Sequence, residues 1–151
     1  MTKRTFAFAS GTGSQTSGHL ETPEGTPRGW AIFAHCFTCG KDSRAAVYIS
    51  RALSRAGIGV LRFDFAGTGI EGGTGESVNF ASDVDDLRAA SKAMAAAGMP
   101  PSLLIGHSLG GIAAIVAAGD MPDIVAVATI GAPADLQHIL RNFRQNDLDT
   151  I

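Results

Sequence analysis

The sequence predicts an α/β fold with a mostly parallel central sheet and helices on both faces. Apolar runs alternate with amphipathic helical patterns through the later half of the chain, and such strand-helix-strand repetition is typical of parallel sheets. Three of the runs, 58–63, 101–105 and 125–130, are apolar almost throughout, as expected of strands that helices cover on both faces. Most of the 19 glycines among 151 residues cluster between these elements, which indicates tight turns.

Six strands and three helices are predicted in chain order. The first helix presents Ala46, Ile49 and Leu53 on one stripe and ends before Gly57, so we interpret it as a surface helix packed on the sheet. The predicted strands are Thr5–Ala9, Gly18–Thr22, Gly29–Ala34, Ile58–Phe63, Pro101–Ile105 and Val125–Ile130, and the predicted helices are Ser43–Ala56, one that begins near Asp83, and Leu109–Ala118.

The second helix carries three acidic residues in its first turn. The helix dipole favours negative charge there, so we interpret Asp83, Asp85 and Asp86 as solvated charges. Adjacent helical residues point to different faces, which argues against a catalytic carboxylate pair at Asp85 and Asp86. The buried stripe is predicted to be Val84, Leu87, Ala90 and Met94. A last amphipathic segment is predicted at Leu136, Ile139, Leu140 and Phe143.

Composition limits the domain count and the classes of partner. A chain of 151 residues with 45% hydrophobic content is expected to form one domain, 1–151, around one core. Its 12 basic and 14 acidic residues are interspersed, which argues against nucleic-acid and membrane binding and favours a small-molecule substrate. The start of the chain lacks the apolar core of a signal peptide, and we expect a cytoplasmic protein. No cofactor and no metal are predicted.

The most informative segment is Gly106-His107-Ser108-Leu109-Gly110, which matches the pattern Gly-x-Ser-x-Gly. In this pattern a serine leaves the end of a strand on a strained turn, and glycines on either side remove steric collisions. A predicted strand precedes the segment and a predicted helix follows it. This strand-turn-helix context favours a functional serine at position 108.

These residues resemble the α/β-hydrolase superfamily. The landmarks occur in the order found there: His35-Cys36-Phe37 after the third strand, the segment 62–69 after the fourth, and the segment 106–110 after the fifth. The sequences of the longer segments 35–42 and 130–135 are similar to the hydrolase half of bacterial proteins that fuse an α/β-hydrolase to an OsmC-like domain. The resemblance covers nearly the whole chain.

The resemblance implies a serine hydrolase that acts on ester or related acyl bonds. Ser108 would be the nucleophile, and the backbone amides of Leu109 and Phe37 would form the oxyanion hole. A histidine would remove the serine proton and a carboxylate would orient that histidine. Residues Gly106, His107 and Gly110 would shape the nucleophile elbow.

The sequence departs from the family pattern at Cys36, where most relatives have glycine. Cys36 and Cys39 form a Cys-x-x-Cys pair, which leaves two interpretations open. One is redox chemistry, although the thioredoxin-like setting of that motif is the start of a helix. The other is packing of buried thiols near the site, and this is the one we favour, in keeping with a reducing compartment.

The triad acid and histidine are not assigned. After Ser108 the one histidine is His138, which lies too near Asp135 in the chain to bridge that acid and the serine, and we expect it on a surface helix. Asp135 follows the sixth strand and is a candidate acid, with a loop or helix-cap role as the alternative. We interpret His35 and His107 as residues that shape loops. His19 has no partner evident from the sequence.

Compared with the family, the chain ends after the sixth strand, so we expect it to be the front portion of a longer hydrolase with little activity of its own. The strand Val125–Ile130 would then lie at an open sheet edge, and we expect self-association.

Two alternative functions remain. One is a non-enzymatic binding remnant of the fold. The other is nucleotide binding by Gly67-Thr68-Gly69-Ile70-Glu71-Gly72, a weak match to Gly-x-Gly-x-x-Gly that no helix follows directly. A turn between the fourth strand and its helix is the simpler interpretation.

Overall fold

A computed structural model describes residues 1–36, 39–66 and 80–135. Within these ranges it contains six strands and three helices, in the predicted order. The strands are β1 (Thr2–Ala9), β2 (Gln15–Thr22), β3 (Gly29–Ala34), β4 (Ile58–Phe63), β5 (Pro101–His107) and β6 (Ala126–Ile130), and the helices are α1 (Arg44–Arg55), α2 (Phe80–Ala96) and α3 (Leu109–Ala118).

The six strands form one sheet in the order β1-β2-β4-β3-β5-β6. β1 and β2 form an antiparallel hairpin, and β2 is also antiparallel to β4. The pairs β4–β3, β3–β5 and β5–β6 are parallel. The predicted α/β fold with a mostly parallel sheet is therefore confirmed.

Helices pack on both faces of the sheet, as predicted. In β3 the side chain of Ile32 belongs to the apolar cluster that packs against α2 and α3, whereas Ala31 and Phe33 belong to the cluster under α1. This alternation follows from the two-residue period of a strand. The larger cluster includes Leu20, Leu61, Leu87, Met94 and Leu104, all fully buried.

The structure extends several predicted elements. β1 starts at Thr2 and not at Thr5, because the polar residues at 2–4 pair with 20–22 in the hairpin. α2 starts three residues earlier than predicted, at Phe80, and β5 continues to His107. The bounds of β3, β4 and α3 are as predicted.

The expectation that helices bury both faces is wrong for β6. All five of its residues are exposed, and Val125, just before it, is 81% exposed. Among the described residues β6 pairs with β5 alone, so its outer edge is unpaired. This open edge is the one that the sequence predicts.

The interpretation of the α2 aspartates as solvated charges is wrong for two of the three. Asp85 is exposed, but Asp83 is buried and Asp86 is fully buried. The Asp86 carboxylate accepts hydrogen bonds from the amides of Gly11 and Ala66, each 2.8 Å long. These bonds compensate for the loss of hydration and connect α2 to the β1–β2 turn and to the segment after β4.

The predicted amphipathic segment at 136–143 and the glycine-rich segment 67–72 lie outside the described residues. No helix in the described ranges is both long enough and apolar enough to cross a membrane.

Candidate active site

Ser108 lies between the end of β5 and the start of α3, at the carboxyl end of the parallel strands. Its φ is 56° and its ψ is −124°, and it is the one non-glycine residue with positive φ among the described residues. Its amide donates a 2.9 Å hydrogen bond to the carbonyl of Ile130 at the end of β6. A conformation that costs about 1–3 kcal/mol is therefore held by the sheet on one side and the helix on the other.

The turn needs glycine at 106 and at 110. A Cβ at position 106 would lie 2.3 Å from the carbonyl oxygen of Gly110. A Cβ at position 110 would lie 2.4 Å from the carbonyl oxygen of His35, the residue directly after β3. These distances are impossible for carbon and oxygen, so the start of α3 approaches the sheet as closely as the backbone allows.

The Ser108 side chain remains available for chemistry. It is half-buried and does not cap α3. Leu109 is the first residue of α3, and the amide of a first helical residue has no acceptor within the helix. The partial positive charge of the helix N-terminus adds to this donor, so negative charge next to Ser108 would be stabilised.

His35 is a buried residue that supports the segment after β3. It is 1% exposed, and its Nδ1 donates a 2.7 Å hydrogen bond to the carbonyl of Cys36. Burial lowers the pKa of His35, which favours the neutral ring, and its Nε2 lies 3.6 Å from Asp64. These contacts agree with the interpretation of His35 as a residue that shapes a loop.

A buried ionic network anchors the segment between β3 and α1. Arg62 donates to the carbonyl of Lys41 over 2.5 Å, to Asp42 over 2.9 Å and to Glu21 over 2.8 Å. Arg62 and Glu21 are each 1% exposed. Asp64 accepts from the Lys41 amide over 2.6 Å and forms an ion pair with the Lys41 ammonium.

Sequence reasoning missed this network. An apolar strand such as β4 gives no local sign that its one arginine is buried. The acids that compensate it lie 41 and 20 positions away along the chain.

The interpretation of Cys36 and Cys39 as packed thiols is wrong, because the two residues form a disulfide. The Cys39 amide also donates to the Cys36 carbonyl over 3.0 Å, in a turn between β3 and α1. The pair therefore links two residues that are three positions apart in the sequence, between β3 and α1. His107, which precedes Ser108, lies next to this disulfide.

The remaining predicted residues are spread over the chain. Asp135 is exposed and lies five residues after β6. His19 lies on β2, with its Nε2 3.4 Å from Asp42, a partner that the sequence did not reveal. Phe37 and His138 lie outside the described residues.

The family described as serine aminopeptidase, S33, matches residues 25–145. The chain belongs to this family of α/β-hydrolases. Its members are serine hydrolases, which confirms the superfamily resemblance. No curated protein matches the chain.

Solved structures share the fold of this α/β-hydrolase. The esterase domain of a Rhodothermus marinus protein is 45% identical, with a TM-score of 0.76 over 93% of this chain. A lidless α/β serine hydrolase from Xanthomonas campestris is 23% identical with a TM-score of 0.75 over 89%, and a dienelactone hydrolase from Anabaena variabilis is 24% identical with a TM-score of 0.71 over 87%. The chain spans 54%, 63% and 65% of these three structures, respectively.

A shallow groove of about 250 Å³ lies at the opposite ends of the strands of this α/β-hydrolase. Trp30, Ile58, Leu103 and Val125 are among its lining residues. Ligands of open parallel sheets bind at the carboxyl ends of the strands, where Ser108 lies. The groove is therefore separate from the candidate site.

Proposed function

We propose that Ser108 is the nucleophile of a serine hydrolase that cleaves ester or related acyl bonds of small molecules. The observation that carries this proposal is the strained, glycine-enclosed turn at Ser108. Natural proteins keep such strain where it serves function. The 45% identity to an esterase domain supports ester substrates in particular.

In this mechanism the Ser108 hydroxyl attacks the acyl carbonyl and the oxygen of that carbonyl gains negative charge. The Leu109 amide, at the positive end of α3, is one of the two oxyanion donors. The Phe37 amide, which the family resemblance assigns to this role, is the other. Gly106, His107 and Gly110 form the elbow around the serine.

The mechanism also needs a histidine as proton acceptor and an acid that orients it. Asp135 is a candidate acid, and the histidine is unassigned. We keep two predictions from the resemblance, that further strands supply the missing groups and that the whole protein carries an OsmC-like domain. From the start of the sequence we keep the prediction that the protein is cytoplasmic. The 151-residue chain alone is then expected to be a weak catalyst, because loss of a triad base removes most of the rate enhancement.

The test is labelling with a fluorophosphonate probe, which reacts with activated serines. We expect Ser108→Ala to abolish labelling and, in the longer product that carries the whole triad, to lower the esterase rate on the order of 10⁴-fold or more. Ser102→Ala, at the other end of β5, is the matched control and should be labelled like the unchanged chain. The 151-residue chain and the product of the whole coding region are labelled in parallel.

Two results would contradict the proposal. One is labelling that survives Ser108→Ala. The other is absence of labelling in both the 151-residue chain and the longer product. Ligand binding that survives Ser108→Ala without any labelling would favour the alternative of a binding remnant.

A further inference from the structure

Three side chains with metal-binding atoms meet at the carboxyl ends of β3 and β5. The Sγ atoms of Cys36 and Cys39 and a ring nitrogen of His107 all lie within 4.8 Å of one another. Ala34 of β3 pairs with Gly106 of β5, which brings the two chain segments side by side. The sheet register therefore brings the backbones that carry these side chains together.

The surroundings suit a bound ion. Cys36 is 8% exposed, whereas Cys39 and His107 are half-buried, so one side of the group is dry and the other is open to solvent. The two cysteines have Cα atoms 5.1 Å apart. A 3.0 Å backbone hydrogen bond from the Cys39 amide to the Cys36 carbonyl joins the same two residues in addition to the disulfide.

We propose that reduction of the Cys36–Cys39 disulfide turns Cys36, Cys39 and His107 into a binding site for a soft divalent cation, Zn²⁺. Thiolate and imidazole are the ligands that Zn²⁺ prefers, and three protein ligands leave the fourth tetrahedral position to water. A tetrahedral Zn²⁺ lies about 2.3 Å from sulfur and about 2.0 Å from nitrogen. Its ligand atoms are then roughly 3.5–3.8 Å apart, which requires shifts of about an ångström from the present positions.

The conversion is balanced in electrons and protons. With a phosphine as the reductant, phosphorus gives two electrons to the disulfide and the S–S bond breaks. One water molecule supplies the oxygen of the phosphine oxide and the two protons of the new thiols. Zn²⁺ then displaces both thiol protons, and the neutral imidazole of His107 donates a lone pair. The oxidised pair has no thiolate to offer, so the site exists in the reduced chain alone.

The experiment titrates the reduced and the oxidised 151-residue chain with Co²⁺, which absorbs in the near ultraviolet and the visible when thiolates bind it, and then displaces Co²⁺ with Zn²⁺. Thiol titration verifies two thiols in the reduced chain and none in the oxidised chain. We expect one Co²⁺ per reduced chain, with thiolate charge-transfer bands that Zn²⁺ abolishes, and no such bands in the oxidised chain. This comparison needs no substitution, and it measures metal binding without relying on enzyme activity.

Substitutions then test each ligand. We expect Cys36→Ser and Cys39→Ser to abolish the charge-transfer bands or to weaken Zn²⁺ binding ~100-fold, and His107→Gln to weaken it at least ~10-fold. His19→Gln, which changes a histidine on β2, is the matched control and should bind as the unchanged chain does. Absence of thiolate bands in the reduced chain, equal binding by the oxidised chain, or equal binding by His107→Gln would overturn the proposal.

Discussion

Single glycines decide whether the chain can bring α3 against the sheet. We expect Gly106→Ala to lower the free energy of unfolding by about 3 kcal/mol or more, because the new methyl group would meet backbone atoms that cannot move independently. Gly29→Ala is the matched control, since the nearest atom to its Cβ is 3.7 Å away. The measurement is urea denaturation of both variants. Equal midpoints would show that the close approach at Gly106 is not needed.

Asp83 shows how a buried carboxyl makes stability depend on pH. Burial raises the pKa of Asp83 from 3.8 to about 7, and the negative charge of Asp86 adds to this rise. Between pH 3.8 and about pH 7, Asp83 is ionised in the unfolded chain and protonated in the folded chain. The unfolded chain then binds fewer protons, so the contribution of Asp83 to stability is lost as the pH rises from about 4 to about 7.

We therefore expect Asp83→Asn to increase the free energy of unfolding, relative to the unchanged chain, by about 2 kcal/mol more at pH 8 than at pH 5. The measurement is the difference in urea midpoint between the variant and the unchanged chain at the two pH values. Asp85→Asn, on the exposed side of α2, controls for the change in net charge. A gain from Asp83→Asn that is the same at both pH values would contradict a raised pKa.

At the scale of elements, Asp86 connects three parts of the fold that are distant in sequence. We expect Asp86→Ala to cost about 2–4 kcal/mol, because the amides of Gly11 and Ala66 would lose their shared acceptor. Asp86→Asn should cost less, since one amide oxygen still accepts. Asp85→Ala, which removes a surface ion pair with Arg88, should change stability by less than about 1 kcal/mol.

Urea denaturation of the three variants provides the measurement. Equal midpoints for Asp86→Ala and Asp85→Ala would show that the two buried hydrogen bonds add nothing beyond a surface charge.

Local sequence patterns predicted the elements that are determined by their own residues. The apolar run of β4 and the small, apolar α3 were predicted with their observed bounds. Helix α2 was predicted from its stripe of Leu87, Ala90 and Met94, which is buried, but its start was placed at the aspartates. The start is at Phe80, and Asp83 and Asp86 lie within the first two turns and face the protein interior. The burial of Asp86 depends on partners 20 and 75 positions away, which no window along the sequence includes.

The candidate site was predictable to the same extent. The turn at Ser108 is local, because strand, glycines, serine and helix follow one another in ten residues, and the structure has this context. The Arg62 network and the Cys36–Cys39 disulfide are not local in this sense. An arginine within an apolar strand can be buried or exposed, and a cysteine pair in a loop can be free or disulfide-bonded. Which of these states forms depends on the packing of β2, β4 and the segment at 39–42.

For the molecule as a whole, β6 is the exposed feature with the clearest consequence. Its five residues are exposed, Ile130 is 42% exposed, and among the described residues nothing pairs with its outer edge. Backbone donors and acceptors along such an edge are a template for another strand. We therefore expect the 151-residue chain to associate with itself as its concentration rises, edge to edge through β6.

A lysine in the middle of the edge tests this expectation. Ala128 is exposed, and its side chain lies on the opposite face of β6 from that of Thr129, which faces α3. Ala128→Lys therefore adds charge to the edge strand without placing it in the core. We expect this variant to weaken association ~10-fold or more, because a second β6 would have to pack against the charge. Tyr48→Lys, at a 61% exposed position of α1, is the control for added charge alone. Light scattering over a concentration series gives the mass of each; a monomer at every concentration, or equal effects of the two lysines, would contradict association through β6.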